Sequence, residues 1–462
     1  MRKVISTLCL LSGSLFLSGC DDDNNDNTST LAASLQQEGT TSLQAVHASA
    51  DAPRANVIIN GNPVLEGVDY AQGSGYLAVP AGLNTVQVDV ALPGNSTATV
   101  VPETIVDLSP DLRYTAFVVG DADGSPNAVE PLIVTRPAIG QANSQTLDVQ
   151  VVHAASGVGD VNLYVSTPGV ALSTLTAIDT LAFKDATTVL NIPAGDYQIR
   201  LETVSGGIVA FDSGPVTLAA NSELTVAAVP RADSNPASPV KLLILDGSGS
   251  SVIFDNREPA ETRVGHLIDG APNVDVYANS GVINGLTDVA FKTISPYLEL
   301  TAGSYDLEVF ATGTNTNAFI TANGVALNGG IDYSVFAVGT PNSPEALVVE
   351  DNRRAVATSA VLNVTHAAAN PIAASVDVYL TANASITGET PALEDFAFKQ
   401  TVSGIYVPAG DYFVTVTVAN DPSTIAINAV PITLTNGAVY QATAIDDSAG
   451  SGFNLIAEAI TD

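Results

Sequence analysis

Self-similarity is what most constrains this chain. Each of its four histidines closes an alternating apolar stretch, in Val46-His47-Ala48, Val152-His153-Ala154, Gly265-His266-Leu267 and Thr365-His366-Ala367, at separations of 106, 113 and 100 residues. A fixed landmark returning at that distance predicts four repeats of one supersecondary plan. Other landmarks keep the same phase. Tyr164 and Tyr277 stand eleven residues after His153 and His266, closing Val161-Asn162-Leu163-Tyr164 and Val274-Asp275-Val276-Tyr277. The fourth repeat has Val376-Asp377-Val378-Tyr379, and the first has Ile58 at the offset of eleven.

An aromatic then precedes a turn by ten residues: Tyr70 before Pro80-Ala81-Gly82, Phe183 before Pro193-Ala194-Gly195, Phe291 before Thr301-Ala302-Gly303, and Phe398 before Pro408-Ala409-Gly410. Proline fixes φ and glycine permits the reversed φ of a tight turn. Strands leaving these turns, such as Tyr197-Gln198-Ile199-Arg200-Leu201, alternate with period two, so one face is buried and the other wet. A third landmark is a leucine six residues before a tyrosine or leucine: Leu108 with Tyr114, Leu218 with Leu224, Leu327 with Tyr333, Leu434 with Tyr440. In sandwich folds a tyrosine so placed hydrogen-bonds back across the corner it has just turned. Leu224 has no hydroxyl and keeps only the packing.

The first repeat divides into roughly seven short strands, near Leu43, Val57, Tyr76, Val86, Thr104, Tyr114 and Pro131, with no helical periodicity between them. Propeller blades run to only about 40–50 residues and are too short for these units. The expected fold class is all-β: four tandem immunoglobulin-like β-sandwich domains over residues 43–138, 147–256, 261–352 and 359–462.

What precedes them reads as export machinery. Arg2 and Lys3 give a basic start, an apolar run from Val4 to Leu17 follows, and Leu17-Ser18-Gly19-Cys20 closes it. The run is shorter than the roughly 20 residues of a membrane span, and small residues before a cysteine suit a cleavage enzyme. Residues 1–19 are expected to be a signal peptide and 20–42 a flexible acidic tether, too poor in large apolar groups to offset the entropy of ordering. Leu-Ser-Gly-Cys resembles the lipobox of bacterial lipoproteins, which implies lipidation at Cys20 and a membrane partner held through that lipid. Asp21 resembles an inner-membrane retention signal, which leaves inner versus outer membrane open.

The only other cysteine, Cys9, falls inside the signal, so disulfides and thiol catalysis are excluded for the mature chain. Cleavage removes two cations and no acid, moving the formal charge from −33 to −35. A chain this acidic is not a nucleic-acid binder, because phosphate recognition rests on clustered Lys and Arg.

Taken together, Val-Val-His-Ala, Asp or Asn with Val-Tyr, the aromatic, and Pro-Ala-Gly-Asp-Tyr resemble the domain-of-unknown-function family numbered 4397 (DUF4397), through nearly all of residues 43–462. The third repeat departs from it with Thr301 for proline, and the first lacks the tyrosine after glycine. The resemblance implies an envelope or secreted β-domain without an assigned activity.

Three sets of residues invite a chemical reading. Each repeated histidine stands without a second nearby, so a hydrogen bond from a strand end to a neighbouring loop is favoured over a metal ligand or a base. Asp121-Ala122-Asp123-Gly124 and Asp446-Asp447 offer oxygens to calcium, but lack the further acids of a strong loop, so hairpin turns are favoured. Lys184, Lys292 and Lys399 each follow the repeated phenylalanine, and either block a sheet edge or make a recognition contact. No nucleophile elbow, metalloprotease helix or phosphate loop is present. The expectation is a non-enzymatic envelope protein without catalytic residues, cofactor or metal, engaging an envelope protein or a glycan. A small-ligand, glycan or calcium module is the alternative, and an enzyme the remaining one.

Overall fold

Runs of β-branched residues bounded by Gly, Pro, Asn and Asp give strands, and the computed structural model consists of little else. It describes residues 39–232, 236–450 and 452–461. The segment expected to be a signal peptide, Cys20 and the expected tether as far as residue 38 lie outside the described residues. The first strand already begins at Thr40, three residues inside the expected tether.

Among the described residues the strands form eight sheets, two from each repeat. The plan is plainest in the fourth repeat. Its first, fourth, seventh and eighth strands, Ala360–His366, Thr401–Val407, Val439–Asp447 and Gly452–Ala459, form one sheet in the order fourth-first-seventh-eighth. The second, third, fifth and sixth, Ser375–Thr381, Leu393–Ala397, Gly410–Val418 and Asp421–Leu434, form the other in the order third-second-fifth-sixth. The first strand always runs parallel to the seventh, as in Leu362 opposite Tyr440 and Leu43 opposite Tyr114. The second repeat adds Ser250–Ile253 to the edge of its first sheet, and in the first repeat the fourth strand is broken into Gln72–Gly73 and Leu77–Pro80.

Two packed antiparallel-rich sheets agree with the expected sandwich, but the strand order does not. An immunoglobulin domain keeps its first two strands side by side in one sheet of seven strands in all. Here the first strand leaves the second, crosses to the other sheet and takes a central place there. Its composition gives the reason. Thr146–His153 and Ala360–His366 are buried at almost every position, on both faces, which an edge strand could not be.

Both faces are covered because the repeats stack in twos. Leu43, Ala45, Val57 and Leu108 fill the first repeat's own core, and Leu147, Val149, Leu163 and Phe211 that of the second. The alternate residues form a separate core between them, where Val46, Phe117 and Val134 meet Val152, Ala227, Val229 and Leu243. The third and fourth repeats repeat the arrangement, Leu267, Phe336 and Val338 meeting Ala367, Ile445 and Phe398. Each pair is thus four sheets thick.

The two pairs also touch. Arg354, in the segment leading into the fourth repeat, donates from Nη1 to the carbonyls of Ala50 at 3.1 Å and Ala52 at 2.9 Å. Its Nη2 reaches the Asp69 carboxylate and, at 2.6 Å, the Tyr406 hydroxyl, so one guanidinium joins the first repeat to the fourth. On the other side, Gly330 at φ 76° receives the Phe254 ring where a Cβ would stand, letting the second repeat meet the third.

Phe336 is fully buried between the third and fourth repeats. Phe336→Ala is expected to lower the free energy of unfolding by about 3–5 kcal/mol, read from urea titration by circular dichroism. A loss below about 1 kcal/mol would mean that the repeats do not rely on that seam.

Candidate functional site

The histidines occupy one environment four times over. His47 Nε2 lies 2.8 Å from the Pro53 carbonyl, His153 3.1 Å from Gly159, His266 3.0 Å from Pro272 and His366 2.7 Å from Ala373. Nδ1 accepts a backbone N–H two residues on in three of them: Ser49, Ala155 and Ala368. One nitrogen donating and the other accepting is the neutral imidazole. Burial holds all four below the ordinary imidazole value, His47 at about 4, because an imidazolium there would lose its hydration. Each ring pins the loop that carries the chain from the first sheet to the second.

The repeated aromatic stacks on this histidine edge to face, at 6.3, 6.4, 6.2 and 6.3 Å between centroids for Tyr70, Phe183, Phe291 and Phe398. The residue after it turns into the left-handed region, φ being 56° at Ala71, 75° at Lys184, 72° at Lys292 and 69° at Lys399. Its N–H donates to the carbonyl of the histidine in every repeat. This strained turn sends the lysine out of its own repeat and into the next. Lys184 pairs with Glu130 of the first repeat at 2.8 Å, Lys292 with Asp447 of the fourth at 2.7 Å, and Lys399 with Glu345 of the third at 2.9 Å. The lysines therefore tie repeats across their seams, which neither of the sequence readings anticipated.

The acidic loops are likewise occupied. Asp51 accepts the N–H groups of Ala122 and Asp123, Asp121 accepts the Ser156 hydroxyl, and Asp446 accepts the N–H groups of Ala369 and Asn370. Among the described residues no three His, Cys, Asp or Glu side chains converge as metal ligands would. The corner tyrosines do what their position implies: Tyr114, Tyr333 and Tyr440 accept the backbone N–H of Ser109, Asn328 and Thr435. Tyr197 and Tyr412 bond back to the carbonyls of Pro193 and Pro408, and in the first repeat Asn84 makes the same contact to Pro80.

A polar cleft of about 590 Å³ lies where the third and fourth repeats meet. Arg263, 2% exposed, donates to Glu458 at 2.6 Å and to the Ser334 hydroxyl at 2.7 Å, and faces the equally buried Asp351 at 3.7 Å. Arg353 pairs with Glu261 and lies 4.0 Å from the Tyr297 ring centroid, with Arg263 5.1 Å from the same centroid. Burial and the Asp351 carboxylate, which accepts its proton at 2.7 Å, push the Tyr297 hydroxyl upward. Nη2 of Arg263 is buried without a hydrogen-bond partner, an uncommon surplus donor at such a wall. Glu299, directly opposite Glu261 on the neighbouring strand, adds an exposed carboxylate. The cleft falls in the size range of small-molecule sites and offers donors and acceptors side by side. Its walls belong to no sequence motif. The one signal was the doublet Arg353-Arg354 in a chain with only 15 Lys and Arg.

The histidines fix a pH dependence. A folded-state value below the unfolded one means that the unfolded chain binds more protons as acid is added, so stability is complete above about pH 6.5 and falls toward pH 4. Urea midpoints are expected to drop across that window, and less steeply for His47→Gln than for the parent chain. Equal slopes would show that His47 does not contribute.

A search of curated proteins finds no match to the chain. Among solved structures it is similar to the Bacillus anthracis TIE protein, at 12% identity over 88% of this chain and 68% of that one, with a TM-score of 0.15, a likeness too slight to bear on function. The family model described as "Domain of unknown function (DUF4397)" matches residues 41–164, 147–252 and 260–379. Its first match runs past the first repeat into the histidine strand and Tyr164 of the second, the landmarks that recur. With most of its length so matched, the chain belongs to the DUF4397 family.

Proposed function

We propose that this chain is a non-enzymatic lipoprotein of the bacterial cell envelope, anchored in a membrane through lipid on Cys20 and facing the periplasm or the cell exterior. Four tandem β-sandwich domains would form a stiff spacer whose acidic outer surface engages another envelope protein or a glycan. The observation that carries this reading is where the charged chemistry goes. Lys184, Lys292, Lys399 and Arg354 each bridge one repeat to another, which suits a protein whose task is to hold a shape at a distance from its anchor.

Repeats swinging on linkers would lose reach to conformational entropy; repeats sharing buried cores do not. The formal charge of −33 favours solubility and disfavours bare anionic lipid as a partner of the folded part, leaving the anchor as the membrane contact. A second reading, a module for a small polar ligand, is favoured by one observation, the Arg263–Tyr297–Arg353 cleft.

Cell fractionation with the full chain and Cys20→Ser tests the anchor. The parent is expected in the membrane fraction, labelled by a fatty-acid analogue, and the variant in the soluble fraction without label. Equal partitioning of the two would refute lipid anchoring. Cross-linking in intact envelopes then separates the roles: partners retained by the anchored form support a spacer and binding surface, while recovery of small polar molecules alone supports the ligand module.

A further inference from the structure

Among the described residues the eighth strand is the outermost of its sheet in the first, third and fourth repeats, and in the second it is covered by Ser250–Ile253. Leu242 and Leu243 are fully buried beneath that cover. Of the cover's own side chains, Val252 packs into the seam core with the first repeat and Ile253 into the core of the second. The turn before it, residues 246–249, rests on the first repeat, where the Tyr76 N–H donates to the Gly247 carbonyl at 2.9 Å. The fourth repeat has the same edge without the cover. Leu245 stands opposite Thr225 and Glu458 opposite Gln441, each one residue past the corner position, so residues 455–458 correspond to 242–245. Leu455 and Ile456 are only half-buried, and Ala457 is exposed. The cleft beside Glu458 holds the place that the turn fills in the first pair, since Tyr297 and Tyr76 each stand six residues after the repeated aromatic.

Backbone direction leaves this edge open. Ile460 donates its N–H inward to the Val439 carbonyl at 2.8 Å, so by alternation Leu455 and Ala457 turn their N–H and C=O groups outward. The Asn454 side chain accepts the Leu455 N–H at 2.8 Å, a local substitute for the strand that does not lie beside it. The outermost strands of the first and third repeats carry Pro131, Pro137 and Pro344, which blunt an edge, whereas Gly452–Ala459 contains no proline.

We propose that this edge and the cleft at its end dock an extended segment of another protein, added as an antiparallel strand along residues 455–458. Backbone hydrogen bonds at Leu455 and Ala457 hold it. Two successive apolar residues opposite Ile456 and Leu455 close the seam core and the repeat's own core, as Val252 and Ile253 do in the second repeat. Glu261, Glu299 and Glu458 outnumber Arg263 and Arg353 along the cleft, and the whole chain carries −33, so the segment is basic there and is not a second copy. This inference rests on the reading of the chain as a binding spacer and gives its partner the form of a peptide strand.

The probe is a fluorescent peptide of residues 248–254 with Ser250→Lys, titrated against the full chain and followed by hydrogen–deuterium exchange. Saturable binding is expected, with slowed exchange confined to residues 452–461. The register of the second repeat sets Ser251 of the peptide against Ala457, so N-methylation at Ser251 should weaken binding about ten-fold or more. N-methylation at Val252, whose N–H points away, should leave binding unchanged. Ala457→Pro removes an outward N–H and spares the inward ladder, and if native by circular dichroism it should bring the same loss as the first peptide. Should that variant misfold, the two N-methylated peptides still decide. No binding at about 1 mM peptide, equal loss with both N-methylated peptides, or protection elsewhere in the chain would overturn the proposal. Cross-linking in intact envelopes with Ala457→Pro separates the edge from the broader reading. Partners held by the parent and lost by the variant enter by this edge, whereas an unchanged set excludes the edge and leaves the spacer reading standing.

Discussion

Everything in this molecule follows from sheets that are apolar on both faces. A two-sheet sandwich needs only one buried face per sheet, and its outer faces can stay wet. The sheet made by the first, fourth, seventh and eighth strands breaks that economy: Val226, Ala227, Ala228 and Val229 are all buried, although successive side chains point to opposite sides. Such a sheet is an unfinished object until a second one covers it. The neighbouring repeat is held at high effective concentration by the chain itself, and supplies the cover. The aromatic-lysine turn completes the join, docking on the histidine of its own repeat while its charge reaches the other. Core, turn and ion pair therefore form one device, used once in the first pair of repeats and twice in the second; the first repeat has Ala71 for the lysine, and its Tyr70 hydroxyl reaches the Pro230 carbonyl of the second instead.

Charge obeys the same logic. With 48 acids against 15 Lys and Arg, long-range repulsion opposes any compact arrangement of repeats. Cations are most effective where acidic surfaces would otherwise approach one another, and there they are found. Arg113 and Arg136 of the first repeat converge on Glu223 of the second, and Arg263 of the third reaches Glu458 of the fourth. Half-exposed pairs such as Lys184 with Glu130 contribute little energy singly, about 0–1 kcal/mol, but they exclude alternative arrangements that would set acid against acid. The apolar seams supply the stability and the ion pairs select the geometry.

Much of this was legible in the sequence. The histidine spacing marked the strand that returns in equivalent sheets along the chain, the leucine-tyrosine interval marked the corner bond at Tyr114, Tyr333 and Tyr440, and Leu224 has no hydroxyl to make it. Period-two strands such as Tyr197–Leu201 marked the second sheet, but its outer face is less wet than the alternation implies, Arg200 being buried with its guanidinium on the Ser166 hydroxyl. What escaped was the meaning of their opposite. Val226-Ala227-Ala228-Val229 and Leu242-Leu243-Ile244-Leu245 do not alternate, and a short continuous apolar run signals a strand covered on both sides. The lysines escaped for a different reason: their destination depends on a left-handed turn, and positive φ at a lysine has no signature in composition.

The cleft by Arg263 shows how such an array can acquire individuality without disturbing its folding. Three residues before each histidine, on the face turned toward the partner repeat, stand Gln44, Gln150, Arg263 and Asn363, all buried. Gln150 satisfies itself on the Thr135 and Thr187 carbonyls, and Asn363 on the Asn352 carbonyl and the Gly404 N–H. Arginine at the same position is too long and too charged for that role. It extends to Glu458, borders the Tyr297 ring and leaves a donor unused at the wall of an open space. Inside a repeat the histidine is held to one role, each of the four bonding a loop carbonyl with Nε2. Positions on the seams carry no such obligation beyond fitting one neighbour. In a stacked-repeat protein, new chemistry is therefore least disruptive where two repeats meet, and the Arg263 cleft lies at such a meeting.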